Sequence, residues 1–133
     1  MKKTTRAWVR KAENDFRAAV QLAKASRPLH DNVCLHCQQS AEKYVKAYLV
    51  EMDIAFRRTQ DLEELLDLAI PHDKTLRGLR RGLSFLTDFA VDYRYPGENA
   101  TARDSRAALR WAQRIRGEIR RRLLLKDTSP VDS

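Results

Sequence analysis

The residues best suited to chemistry lie in one stretch, His36-Cys37-Gln38-Gln39-Ser40-Ala41-Glu42-Lys43-Tyr44-Val45-Lys46-Ala47. An imidazole is the side chain suited to general acid/base work near neutral pH, and lysine ammonium groups pair with phosphate. At about 100° per residue, His36, Gln39, Lys43 and Lys46 align along one side of a helix. Val33, Cys37, Ala41, Tyr44, Val45, Tyr48 and Met52 form a broad apolar face on the other. Gln38 and Glu42 stand at the border, where they either orient a ligand or form a hydrogen-bond network that holds the fold. Two readings of the polar side compete, a solvated face that keeps the helix soluble and a ligand surface.

Further candidates lie downstream. Arg57-Arg58 forms a basic loop, and Tyr93-Arg94-Tyr95-Pro96-Gly97 offers a cation for phosphate between two rings for stacking on a base. Cys34 and Cys37 are three apart on the same predicted helix. A structural zinc site needs about four ligands, and a disulfide between neighbouring helical turns closes no useful loop. A small buried pair is therefore expected, with no metal and no cofactor, and reversible oxidation is the redox chemistry that the spacing leaves open. The histidines are His30, His36 and His72. No nucleophile triad, glycine-rich phosphate loop or carboxylate metal cluster accompanies them.

Positioning these residues falls to helices. The chain has 133 residues, four glycines and four prolines, and its apolar residues recur at helical rather than strand spacing. This predicts an all-α, up-and-down bundle of about five helices forming one domain over residues 1–125, with a polar tail at 126–133 expected to be disordered. The first helix spans about 5–26, with Trp8, Ala12, Phe16, Ala19 and Ala23 inward and Asp15 at the edge of that stripe. Such an acid is either an exposed border residue or a partner for a base on a neighbouring helix. The second helix runs from about Asp31, a plausible N-cap, to Asp53. A short third helix starts near Thr59 or Asp61 and ends at Pro71. A fourth covers about 74–93, with Leu76, Leu79, Leu83, Leu86 and Ala90 in the core. Phe85 falls on a different side, marking either a dimer contact or a face that an adjacent helix covers. The fifth runs from about Thr101 to Leu125.

Net charge is +8, from 26 Lys and Arg against 18 Asp and Glu. It is concentrated in the fifth helix, where Arg103, Arg106, Arg110, Arg114 and Arg121 fall opposite Ala108, Ala112, Ile115, Ile119 and Leu123. Arg116, Arg120, Arg122 and Lys126 are expected to widen that basic surface. Such a face attracts phosphates or an acidic protein over about 8 Å at physiological salt. Neither a signal-peptide core nor an apolar run of membrane-spanning length is present, so a cytoplasmic protein with no membrane contact is expected.

The ordered set of Trp8…Ala12…Asp15…Ala19, the His36–Ala47 helix, Arg57-Arg58-Thr59-Gln60-Asp61-Leu62 and Arg94-Tyr95-Pro96 resembles the HEPN family over roughly residues 5–122. His36, Gln38, Gln39, Ala41, Glu42, Lys43, Lys46 and Ala47 match the family's central helix in register. Gln60 departs, standing where the pattern usually has His. The resemblance implies Asp15 as the partner of a base and His36, Gln39, Lys43, Lys46, Arg57, Arg58, Tyr93, Arg94 and Tyr95 as ligand-binding positions, with Asp15, Gln38 and Glu42 in a polar network. It also implies a homodimer, a minimal nucleotidyltransferase as partner in a toxin–antitoxin or defence module, and a nucleotide or RNA as ligand. Many such proteins are metal-independent ribonucleases built on an Arg, four to six residues, and a His. That motif is absent: no His here has an Arg five to seven positions before it, and Asn99, Ala100 and Thr101 occupy the places after Arg94. A noncatalytic binding module is the favoured reading. The alternatives are a divergent ribonuclease using His36 and Arg94, and a structural dimer or scaffold whose arginine face binds an acidic protein.

Overall fold

A computed structural model describes residues 1–89 and 96–125, and the described residues are helical with short connections. The helices are α1 (Lys3–Lys24), α2 (His30–Glu51), α3 (Leu62–Ala69), α4 (Arg80–Thr87) and α5 (Ala102–Arg122). Cross-links fix their directions. Lys2 pairs with Asp53 and Asp15 with His36, so α1 and α2 are antiparallel. His30 meets Ser105 at 2.8 Å and Tyr44 meets Arg120 at 3.2 Å, so α5 runs parallel to α2. Gly78 faces Arg114 and Gly82 faces Trp111, which sets α4 antiparallel to α5. The up-and-down bundle expected from periodicity is thus present, with α3 as a short insertion.

Most of α2 is buried, because α1, α5 and the α3–α4 pair cover it from different sides. The core joins Ala12, Phe16 and Ala19 of α1, Val33, Cys37, Tyr44 and Tyr48 of α2, the leucines of α3 and α4, and Ala108, Ala112, Ile115 and Ile119 of α5. The polar side of α2 is only partly solvated: Lys46 is buried, whereas His36, Gln39 and Lys43 are half-buried, with His36 and Lys43 turned to Asp15 of α1. Met52, assigned to the apolar face, is exposed at the end of α2.

Several helix ends follow the expected chemistry. Asp61 accepts from the backbone N–H groups of Glu63 and Glu64 at 3.1 and 3.3 Å and caps α3. Thr101 and Asp104 form a capping box at the start of α5. Two ends differ. Asp31 does not cap α2, which starts one residue earlier; its carboxylate instead accepts from the Ala100 backbone N–H at 2.6 Å and ties down the approach to α5. The fourth helix opens as a 3-10 turn, Lys74–Leu79, with Asp73 capping Thr75, before α4 begins. Phe85 is half-buried against the core beside Phe89, with ring centroids 5.4 Å apart. Ala90 and the tail 126–133 lie outside the described residues.

Candidate functional site

On α1, Asp15 sits one residue from the core position Phe16, so its carboxylate is drawn to the α1/α2 seam and is only 8% exposed. Two bases of α2 meet it there. His36 Nδ1 is 2.9 Å from Oδ1, and Lys43 Nζ donates to Oδ2. A carboxylate only accepts, so the pairing puts a proton on Nδ1 and leaves Nε2 as the ring nitrogen that Asp15 does not engage. The His36 side chain is 30% exposed.

A second cluster lies deeper. Lys46 Nζ donates to Glu42 Oε2 at 2.9 Å, and Gln38 Nε2 approaches Glu42 Oε1 at 3.4 Å. The ammonium group lies 5.5 Å from the Trp8 ring centroid and 5.8 Å from that of Phe56. Here α2 uses its one-turn spacing to pair an acid and a base, and two rings close over the pair. Gln38 Oε1 and Ser40 Oγ are buried and meet no hydrogen-bond partner among the described residues. Gln39 is half-buried at the margin. Arg57 points to Glu64 on α3, with contacts of 2.8 and 3.0 Å, whereas Arg58 is exposed. The structure therefore brings Asp15, His36 and Lys43 together and groups Gln38, Glu42 and Lys46 separately. Tyr93, Arg94 and Tyr95 lie outside the described residues.

Glu13 was not singled out from the sequence. It receives Arg116 through Nε and, at 3.2 Å, through Nη2; the Tyr44 hydroxyl also donates to it, and Arg120 lies 3.6 Å away. Burial and this hydrogen bond to Glu13 push the Tyr44 hydroxyl's pKa well up, so it stays a donor. Arg116 is 3% exposed and lies over the Phe16 ring. Its place beside Ile115, at the edge of the apolar stripe, is the signal available in the sequence. The expectation that Arg116, Arg120 and Arg122 widen the outer basic face is corrected: the first two turn to Glu13 and Tyr44. Arg122 turns to Asp73 and Glu118, each at 2.7 Å.

What remains outward is a row on α5. Arg103, Arg106, Arg110, Arg114 and Arg121 are exposed, and Arg77 and Arg81 are exposed on the neighbouring turn and helix. Arg121 pairs with Glu118 at 2.5 Å, and Arg114 rests on the Trp111 ring at 5.4 Å. Cys34 and Cys37 are free thiols, both buried. Burial, aided by Cys34, drives the Cys37 thiol's pKa well up, which keeps it protonated and unreactive. Among the described residues no group of three or more His, Cys, Asp or Glu is placed to hold a metal ion, and no helix is long and apolar enough to cross a membrane.

Two comparisons bear on this arrangement. The family model of the HEPN domain matches residues 5–122. A crystal structure of an archaeal HEPN homologue superimposes with a TM-score of 0.73 at 23% identity, covering 92% of this chain and 99% of that one. This second likeness concerns the fold. No curated protein matches the chain.

Proposed function

The chain belongs to the HEPN domain family, and from that premise we propose that it is a noncatalytic binding module whose ligand carries phosphate, RNA or a nucleotide, met by the outer arginines of α5. One observation carries this reading. The bases that the α2 pattern offered are matched by acids within the fold, Lys43 by Asp15 and Lys46 by Glu42, and Arg57 is matched by Glu64. Arg103, Arg106, Arg110 and Arg114 instead point to solvent along one face, while Asp104 is held in the cap of α5 and Glu118 by Arg121 and Arg122. Such a row draws a phosphate chain by counterion release without requiring base contacts. The same charge suits an acidic surface on a protein. The family resemblance adds a minimal nucleotidyltransferase in a toxin–antitoxin or defence setting, and a second copy of the chain, as partners.

A gel shift with single-stranded RNA over a salt series tests the reading. Replacing Arg103, Arg106, Arg110 and Arg114 by Ala should flatten the slope of log K against log salt by about 3, at roughly 0.7 per phosphate. An unchanged slope overturns it. One observation favours a second reading, ribonuclease chemistry at His36: the Asp15 carboxylate on Nδ1 orients the ring. Tag-free, metal-chelated protein that cleaves RNA, and loses cleavage with His36→Ala and with Arg94→Ala, would establish that reading. Absence of cleavage in all three would leave the binding module.

A further inference from the structure

Because α1 runs antiparallel to α2 and α5 parallel to it, the start of α1 and the ends of α2 and α5 meet at one end of the bundle. Of the exposed large apolar side chains among the described residues, Met1, Met52 and Leu124 lie at that end and Leu29 at the other. Between α1 and α5 the same end carries a cleft of about 430 Å³, lined by Met1, Arg6, Val9, Arg10, Arg120 and Leu125. Arg6 and Arg10 are exposed and one helical turn apart, and no acid is among the lining residues.

Leu124 is the unusual residue here. The end of α5 closes with two hydrogen bonds, from the Leu124 N–H to the Arg121 carbonyl at 3.1 Å and from the Leu125 N–H to that of Arg120 at 2.7 Å. This Schellman closure puts Leu124 in the left-handed region, at φ 60°, where glycine is preferred because a Cβ is penalised. Its side chain is 92% exposed, so nothing among the described residues offsets that strain. The other left-handed residue that bears a side chain, Asp53 at φ 58°, is of a type that tolerates the conformation, and it pairs with Lys2. A leucine held outward in glycine's place points to a contact made outside the chain. The surface favours protein over nucleic acid as that contact: no lining residue has a ring to stack on a base, and Met1, Val9, Leu124 and Leu125 supply the flexible aliphatic area of protein interfaces.

We propose that this end of the bundle docks an acidic segment of a partner protein, whose carboxylates meet Arg6 and Arg10 and whose apolar side chains cover Leu124 and enter the cleft against Val9 and Leu125. The cations steer an acidic partner to the surface, and the aliphatic contact holds it there. The surface is separate from the outer row of α5, and the proposal stands whether or not RNA binds that row.

Peptides selected from a random displayed library on the immobilised full chain, then measured by fluorescence anisotropy, test it. The selected sequences should combine Asp or Glu with Leu, Ile or Met. Leu124→Gly should weaken them at least about tenfold while Tm stays level or rises, since glycine relieves the left-handed strain. Arg6→Gln/Arg10→Gln should weaken them about tenfold as well. Affinity kept within about twofold in either variant overturns the proposal, as does a selection that yields no acidic peptide. Other results would give the surface to a different occupant and overturn it too: single-stranded RNA weakened about tenfold by both variants, a dimer that Leu124→Gly splits in sedimentation, or peptides binding about tenfold tighter once residues 126–133 are removed.

Discussion

Glu42→Gln removes one charge from the pair buried inside α2 and changes almost no volume. In the wild type, Lys46 and Glu42 meet at 2.9 Å with side chains only 7% and 10% exposed, under the rings of Trp8 and Phe56. The variant leaves the ammonium group in that setting with a neutral amide and two ring faces. Breaking a buried pair from one side costs about 3–5 kcal/mol, against about 0.3–0.5 kcal/mol for an exposed pair one turn apart. At roughly 2.1 cal/mol/K of unfolding entropy per residue, a chain of this size loses about 10–18 °C in Tm for that cost. Lys46→Met should cost less, because Gln38 still offers Glu42 a donor and methionine keeps most of the stem's packing. The double variant should recover much of the loss, since both charges are gone together. Urea titrations of all four proteins give the coupling energy directly. If Glu42→Gln costs under about 1 kcal/mol, the pair is effectively solvated and the assignment of Lys46 to the interior is wrong.

A methyl group on Gly82 would stand 2.2 Å from Trp111 Cε3, so Gly82→Ala should destabilise by about 1–3 kcal/mol despite alanine's helix preference, and Trp111→Leu should relieve most of it. Chemical denaturation of the single and double variants is the check. Asp73 has its carboxyl pKa lowered to about 2 from an ordinary 3.8, by hydrogen bonds from the Thr75 side chain and then Arg122. Its contribution is therefore full above about pH 4 and fades as the pH falls toward 2, so the stability gap between wild type and Asp73→Asn should close over that window in urea titrations. A gap independent of pH would contradict this. Cys34 and Cys37 should resist a thiol reagent such as DTNB in the native protein and both react in denaturant, and fast native labelling of either would show that the α2 core opens.

Local chemistry made much of the fold legible. The apolar stripe of α5 reads directly from its spacing, and all its expected members are buried. Asp61 and Thr101 carry cap signals beside their own helices, so the starts of α3 and α5 were readable within a residue or two. Asp31 has the same short carboxylate, yet its N–H donor is Ala100, far along the chain. Nothing near it in sequence marks that partner. Lys46 shows the same limit. A helical wheel places it with His36, Gln39 and Lys43, whereas a neighbouring helix and the loop carrying Phe56 cover it. Asp15 was legible as an acid at a helix edge, but which base it would meet was not.

The sequence by itself determined the all-helical class, the apolar stripes, the arginine row of α5 and the family, because each rests on residues close together in the chain or on an ordered set of motifs. Only the tertiary structure decided which charges are spent inside. Whether Glu13 meets Arg116, or Asp15 meets Lys43, depends on how far each helix is rotated about its axis and on its register against a neighbour about 8–10 Å away. No local period fixes either quantity; both are set when the whole core packs at once.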